Sequence, residues 1–336
     1  MSRPAHALPL ADQHGRVARD LRVSVTDRCN LRCTYCMPAE GLPWLPKPEM
    51  LTDDELIRIV RIFVGLGVTQ IRLTGGEPLL RRSIVELVAR MAELTPRPRL
   101  ALTSNGVGLD RLAGPLAEAG LDRVNISLDT VDRDEFQLLT RRDRLHDVEK
   151  GLAAAAEAGL TPVKVNAVAM RGINDHSVAE VLQWCLDRGY ELRFIEQMPL
   201  DAQHSWDKTA MVTAEEIHEL LSRRFTLTPL PEEDRGSAPA ERFLVDGGPQ
   251  TVGIIASVTR PFCRACDRTR LTADGQVRNC LFSRRETDLR GPMREGASDE
   301  ELAALINGEM WVKAPGHGIG TAGFSQPDRP MSAIGG

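Results

Sequence analysis

The chain has 336 residues, 42% of them hydrophobic, 26% charged and only 4% aromatic, and its net charge is −5. A chain of this length buries a sizeable core without disulfide staples, and its acidic balance argues against a general nucleic-acid binder. No apolar run approaches the ~18 residues of a membrane span, and the first twenty residues, which include Arg3, His6, Asp12, His14, Arg16 and Asp20, lack the apolar centre of a secretion signal. The counts predict a soluble cytoplasmic protein with neither a membrane nor a nucleic acid as partner.

Strand-like runs recur at 21–26, 68–74, 99–104, 123–128, 161–169 and 191–196. Amphipathic helical stretches separate them, such as 52–66, where Thr52 and Glu55 form a capping box at the start. Alternation of this kind predicts a parallel sheet with helices outside it. Six units instead of eight point to an α/β fold of the incomplete (β/α)6 TIM-barrel type, with an open doubly wound sheet as the competitor. A last outer helix over 213–224 precedes a Pro- and acid-rich linker at 229–240, and short antiparallel hairpins follow, turning at Asp246-Gly247-Gly248 and at Asp274-Gly275. The expected organisation is an N-terminal arm (1–20), a barrel (21–228), the linker (229–240) and a C-terminal region (241–336).

Six of the seven cysteines fall into two triplets, Cys29, Cys33, Cys36 and Cys263, Cys266, Cys280; the seventh, Cys185, lies on the apolar face of a predicted helix and reads as a small core residue. Clustered thiols on a chain without secretion signals read as metal or redox sites. Three thiolates fall short of the four ligands of a structural zinc. They suit a [4Fe–4S] cluster and leave one of its irons open. Zinc with a distant fourth ligand, or free thiols, is the alternative for each triplet, and His317 is the candidate fourth ligand for the second. Between residues 260 and 290 stand eight arginines and no lysine. Arg264, Arg268 and Arg270 interleave with the second triplet, which suggests a local anion clamp.

Cys29-x3-Cys33-x2-Cys36, with Tyr35 before the last cysteine, resembles the radical S-adenosylmethionine (SAM) superfamily, and Thr74-Gly75-Gly76-Glu77-Pro78 after the second strand strengthens the resemblance. On that reading the glycines admit the ligand's backbone-close approach, and Glu77 accepts from the SAM ammonium. From about Arg19 to the end, the chain resembles the GTP 3′,8-cyclase family. The matching segments are 22–38, 72–78, 103–106, 125–129, 163–166, 193–196, the second triplet with 268–275, and the Gly335-Gly336 terminus.

That resemblance implies a lyase that converts GTP to 3′,8-cyclo-7,8-dihydroguanosine 5′-triphosphate, the first step of molybdenum cofactor biosynthesis. It implies a partial barrel capped at its mouth by the C-terminal segment, two [4Fe–4S] clusters on the two triplets, and SAM as cofactor. Tyr35, Gly76, Ser127 and Met198 are the implied SAM contacts; Arg22, Arg72, Thr103, Lys164, Arg268 and Arg270 are the implied GTP contacts. Arg22, Gly335 and Gly336 are implied in the rearrangement itself, in which a deoxyadenosyl radical takes hydrogen from ribose C3′ and C3′ then closes on guanine C8. An external electron donor, a homodimer and transfer of the product to cyclic pyranopterin monophosphate synthase are implied as well. Two positions depart from the family's pattern: Gln70 stands where some members carry lysine, and Asp267 where Asn or Thr is common. The rival readings are a radical SAM peptide-modifying enzyme with an auxiliary cluster and a non-catalytic iron–sulfur or zinc sensor.

Overall fold

The computed structural model describes residues 9–231, 233 and 235–335. Among these, twelve strands form one sheet: β1 Asp20–Ser24, β2 Gln70–Thr74, β3 Arg99–Ser104, β4 Arg123–Ser127, β5 Lys164–Val168, β6 Glu191–Ile195, β7 Leu227–Pro229, β8 Glu241–Val245, β9 Thr251–Ile255, β10 Arg268–Leu271, β11 Gln276–Arg278 and β12 Thr287–Asp288. The first six lie side by side in chain order and are all parallel. A doubly wound sheet reverses its strand order at a switch point. None occurs here, so the sheet winds in one direction, as a barrel does. β9 adds in parallel beside β6 and β10 in parallel beside β1. The hairpin strands β11 and β12 extend one edge and β8 and β7 the other, with no pairing between β12 and β7. The barrel is therefore incomplete, and the C-terminal region lies on both of its flanks. Pro229, which has no N–H for a ladder, sits in the edge strand β7.

Period-two alternation explains which side is which. Leu21, Val23, Ile71, Leu73, Leu100, Leu102, Val124, Ile126, Val165, Ala167, Leu192 and Phe194 point outward and are almost wholly buried under the helices. Helix α1 (Asp53–Gly65) covers them with Leu56, Ile59, Val60 and Phe63, and its start is fixed by the Thr52/Glu55 capping box. Helices α2 (Ile84–Ala92), α3 (Ala113–Glu118), α4 (Arg133–Thr140), α5 (Leu145–Glu157), α6 (Val178–Asp187) and α7 (Ala214–Ser222) continue the outer layer; α8 (Arg290–Arg294), α9 (Asp299–Trp311) and the one-turn α10 (Met331–Ile334) follow. Cys185 is buried on α6, where burial pushes its thiol up to about 12. No helix of the described residues is long and apolar enough to cross a membrane.

Candidate active site in the barrel lumen

The topology puts the two cysteine triplets at opposite ends of the barrel. Cys29, Cys33 and Cys36 follow β1 and so lie at the carboxyl ends of the parallel strands. Cys263 and Cys266 precede β10, which runs parallel to β1, and Cys280 follows the antiparallel β11; both placements lead to the amino ends. All six thiols are free and half-buried. Among the described residues no group of three or more His, Cys, Asp or Glu side chains gathers as a single-ion site. A cluster spreads its thiolates over separate irons, so the donor set fits [4Fe–4S] in both places.

The first triplet sits in a loop held from outside by α4. Arg32 N–H and Thr34 N–H donate to the carbonyls of Thr140 and Leu139, and Arg141, at a positive φ of 55°, donates to the carbonyls of Arg32 and Met37. Burial raises the thiols of all three cysteines, that of Cys36 to about 12, so ionisation here waits for a cationic ligand to supply charge. Tyr35 donates its hydroxyl to Asp129 Oδ2 at 2.7 Å, and burial lifts the Asp129 carboxyl to about 6. Gly76, Ser127 and Met198 are half-buried at this same end of the barrel.

At the other end one thiol, that of Cys266, behaves differently. Burial raises the Cys263 thiol, against a hydrogen bond from the His317 backbone N–H. Burial pushes Cys266 up too, but Lys313 and then Arg268 outweigh it and bring this thiol below its ordinary value. His317 is no fourth metal ligand: its Nδ1 accepts from Ile319 N–H and its Nε2 donates to the Ser257 carbonyl, both at 3.0 Å.

The inner face of the sheet carries the remaining chemistry. Register sets Arg22 beside Arg72 on one side and Arg270 on the other, and Asp20 beside Arg268. Across the lumen Asn125 pairs with Thr103 and Lys164, Lys164 with Glu191, and Asn166 with Arg193. Seven cationic side chains thus share one space, those of Arg22, Arg72, Arg123, Lys164, Arg193, Arg268 and Arg270, and the carboxylates opposing them are Asp20, Glu191 and Asp267. Burial, then mutual repulsion, lowers Arg22 to about 10 and pulls Arg72 and Arg270 well below their ordinary value. The Nε atoms of Arg22, Arg72, Arg193 and Arg268 are buried without a hydrogen-bond partner, although Arg268 Nε lies 3.9 Å from Asp20 Oδ2. Guanidinium stays charged in proteins, and buried charges need partners, so this lumen is built to receive a polyanion.

Sequence reasoning missed Arg123, Arg193, Asn125 and Asp20 as lumen groups. Arg193 donates to Asn125 Oδ1 at 2.9 Å, and Arg123 to Gln70 Oε1 at 2.8 Å, so the glutamine at the departing position orients a neighbouring cation. Period-two alternation within the predicted strands was the signal that marks them. Lys164 begins β5, at its amino end. Asp267 works through its carbonyl, which accepts from Arg19 and Asp20 N–H.

The C-terminal segment enters this lumen. Arg329 makes a bidentate pair with Asp274 (3.0 and 2.7 Å) and reaches Glu286 at 2.8 Å. Met331 N–H donates to the Leu200 carbonyl, Ser332 N–H to the Cys36 thiol, and the Gly335 carbonyl accepts from Arg270 Nη1 at 2.5 Å. Gly335 has φ +85°, and a Cβ there would lie 2.8 Å from Thr74 Cγ2. Gly336 lies outside the described residues.

Three expectations need correction. The arginines of 260–290 do not form one clamp: Arg268 and Arg270 face the lumen, whereas Arg260 pairs with Glu241, Arg278 with Glu286, and Arg264 and Arg284 are exposed. Gly75 and Gly76 leave room first for the protein itself, since a Cβ at either would fall within 2.1–2.3 Å of the carbonyls of Thr26 or Arg28. Glu77 serves the protein first: its oxygens accept from Ser104 Oγ (2.8 Å), Asn105 N–H (2.7 Å) and Leu79 N–H (3.0 Å), tying β2 to β3. Burial raises its carboxyl from 4.5 to about 7. Between those pH values the folded chain holds a proton that the unfolded chain has lost, so stability falls as pH rises through the window, by about 3 kcal/mol at ~1.36 kcal/mol per unit. Glu77→Gln, which does not titrate, should gain on the parent by this amount between pH 4.5 and 7 in urea unfolding; a constant difference would contradict the assignment.

The comparisons with known proteins agree with this geometry. Residues 23–185 match the family model described as "Radical SAM superfamily" and residues 190–319 the one described as "Molybdenum Cofactor Synthesis C". A Streptomyces coelicolor protein named GTP 3′,8-cyclase is 63% identical over 97% of this chain and 96% of its own length. A Mycobacterium sp. (strain KMS) protein of the same name is 58% identical over 100% of this chain and 97% of its own. Among solved structures, Streptococcus suis SuiB bound to S-adenosylmethionine superposes with a TM-score of 0.57 at 15% identity, over 88% of this chain and 71% of that one, and so shares the fold. Lumen, cysteine triplets and relatives together place the chain in the GTP 3′,8-cyclase family of the radical SAM superfamily.

Proposed function

We propose that the barrel binds SAM at the carboxyl ends of its strands and GTP deeper in the lumen, and that the enzyme is a radical SAM lyase forming 3′,8-cyclo-7,8-dihydroguanosine 5′-triphosphate at the start of molybdenum cofactor biosynthesis. The observation that carries this reading is the lumen between the two triplets, where seven cations meet three carboxylates. A triphosphate supplies the missing negative charge, and Arg's planar fork suits it. When bound, the [4Fe–4S] cluster on Cys29, Cys33 and Cys36 supplies the electron that cleaves SAM.

The residues of the chain do the positioning. Tyr35, Gly76, Ser127 and Met198 border the SAM end. Arg22, Arg72, Lys164, Arg268 and Arg270, joined by Arg193, hold the phosphates, with Thr103 beside them. Cys263, Cys266 and Cys280 hold the second cluster at the guanine end. A carbon radical reacts with whatever lies nearest, so fixing ribose C3′ and guanine C8 and excluding water carry the specificity. Gly335 closes the lumen through its carbonyl on Arg270, and Gly335 and Gly336 are both needed for the rearrangement. The enzyme takes its electron from an external donor, works as a cytoplasmic homodimer and passes its unstable product to cyclic pyranopterin monophosphate synthase. Turnover of GTP deuterated at C3′ tests the chemistry: deuterium is expected in the 5′-deoxyadenosine, and SAM cleavage without deuterium transfer would overturn it.

A further inference from the structure

Lys313 follows α9, its N–H returning to the Met310 carbonyl, and its side chain turns inward until only 3% of the residue is exposed. Nζ donates to the carbonyls of Arg268 (2.7 Å) and Cys266 (3.2 Å) and lies 3.5 Å from Cys266 Sγ. An ammonium has three donors, and these three acceptors use them all. None is a carboxylate, so the sulfur is the partner able to balance a buried positive charge. The placement is enforced from a distance. Arg16 donates to the carbonyls of Cys263 (2.9 Å), Pro315 (3.2 Å), Lys313 (3.3 Å) and Ala314 (2.7 Å), while its own charge meets Asp12 at 2.5 Å. That one guanidinium staples the segment carrying Lys313 to the loop carrying Cys263. Among the described residues no lysine contacts the first triplet; Asn105 Nδ2 lies 3.9 Å from Cys29 Sγ, and the Ser332 N–H meets Cys36.

We propose that Lys313 is a positioning residue of the second triplet, holding Cys266 Sγ by a charged hydrogen bond and setting the reduction potential of the cluster bound there above the value it would otherwise have. The inference rests on the two-cluster reading. Hydrogen bonds to cluster sulfurs and local net charge set potentials, and a cation beside one thiolate favours the more negative, reduced state.

The test is an EPR-monitored redox titration of the reconstituted enzyme, with iron counted, for the parent, Lys313→Gln and Lys313→Arg. Lys313→Gln is expected to shift the oxidised-to-reduced ratio of the second cluster about tenfold toward oxidised at a fixed potential, or ~59 mV for one electron. The first cluster should not move, and Lys313→Arg should restore most of the shift. Loss of the second cluster in Lys313→Gln with retention in Lys313→Arg would support the same role. Two clusters whose potentials Lys313→Gln leaves unmoved, or loss of the second in both variants, would overturn it. A parent with a single cluster would overturn the two-cluster reading, and this inference with it.

Discussion

Arg72→Met is expected to make the ligand-free chain harder to unfold and, at the same time, a poor binder of GTP. Arg72 is 8% exposed on the inner face of β2, between cations on β1 and across the lumen, and its Nε has no partner. Asp20 offsets its charge only in part, so the buried guanidinium remains a net cost to the empty fold. Replacing a poorly compensated buried ion with an apolar side chain of similar length stabilises by about 1–4 kcal/mol. The same change removes a charge-assisted contact to phosphate, so GTP affinity should fall on the order of 10²-fold. Ligand-free and GTP-bound unfolding in urea measures both, because a bound ligand adds stability in proportion to its affinity. A ligand-free chain destabilised by Arg72→Met would show that this guanidinium is satisfied by the protein, and the polyanion argument would lose its footing.

The second large effect is expected at Gly335. Its φ of +85° with ψ of 114° lies outside the left-handed helical well, in backbone space that costs an ordinary L-residue about 1–3 kcal/mol, and the added Cβ meets Thr74 Cγ2 at 2.8 Å and Ser24 Cβ at 3.2 Å. Both neighbours belong to strands, so neither gives way readily. Gly335→Ala should therefore shift the C-terminal segment out of the lumen and take the Gly335 carbonyl away from Arg270. Turnover is expected to fall at least about tenfold, while iron content and SAM binding stay as they were. Removal of Gly335 and Gly336 should do the same. Unchanged turnover in both variants would show that the segment's entry into the lumen has no part in the reaction.

The outer layer of this protein is legible in its sequence because outward strand positions and helix faces are apolar at regular spacing. All six barrel strands were expected within a few residues of where they occur, and Thr52 marks the start of α1 where the capping box placed it. The lumen was less legible. Arg123 and Arg193 stand alone in their strands, and only closure of the sheet brings them to Arg22 and Arg72. Conversely, the arginines of 260–290 look like one site because they are neighbours in the chain. Yet only Arg268 and Arg270 of β10 reach the lumen, while Arg278 is buried against Glu286 and exposed ones such as Arg264 and Arg284 lie outside the hairpin strands. Glu77 and His317 carry functional side chains by type, but hydrogen bonds to groups distant in the chain, Ser104 and Asn105 for the one and Ser257 for the other, engage them, and those bonds depend on tertiary placement. The Lys313–Cys266 contact spans 47 positions and has no spacing signature.

The account stands on two cysteine triplets at opposite ends of one cationic lumen, each serving a different small molecule. EPR of the anaerobically reconstituted, reduced enzyme tests this when SAM and GTP are added separately. Two [4Fe–4S] signals are expected, about eight irons per chain in all, with SAM altering one and GTP the other. A single signal, or one signal that responds to both molecules while the other responds to neither, would contradict it.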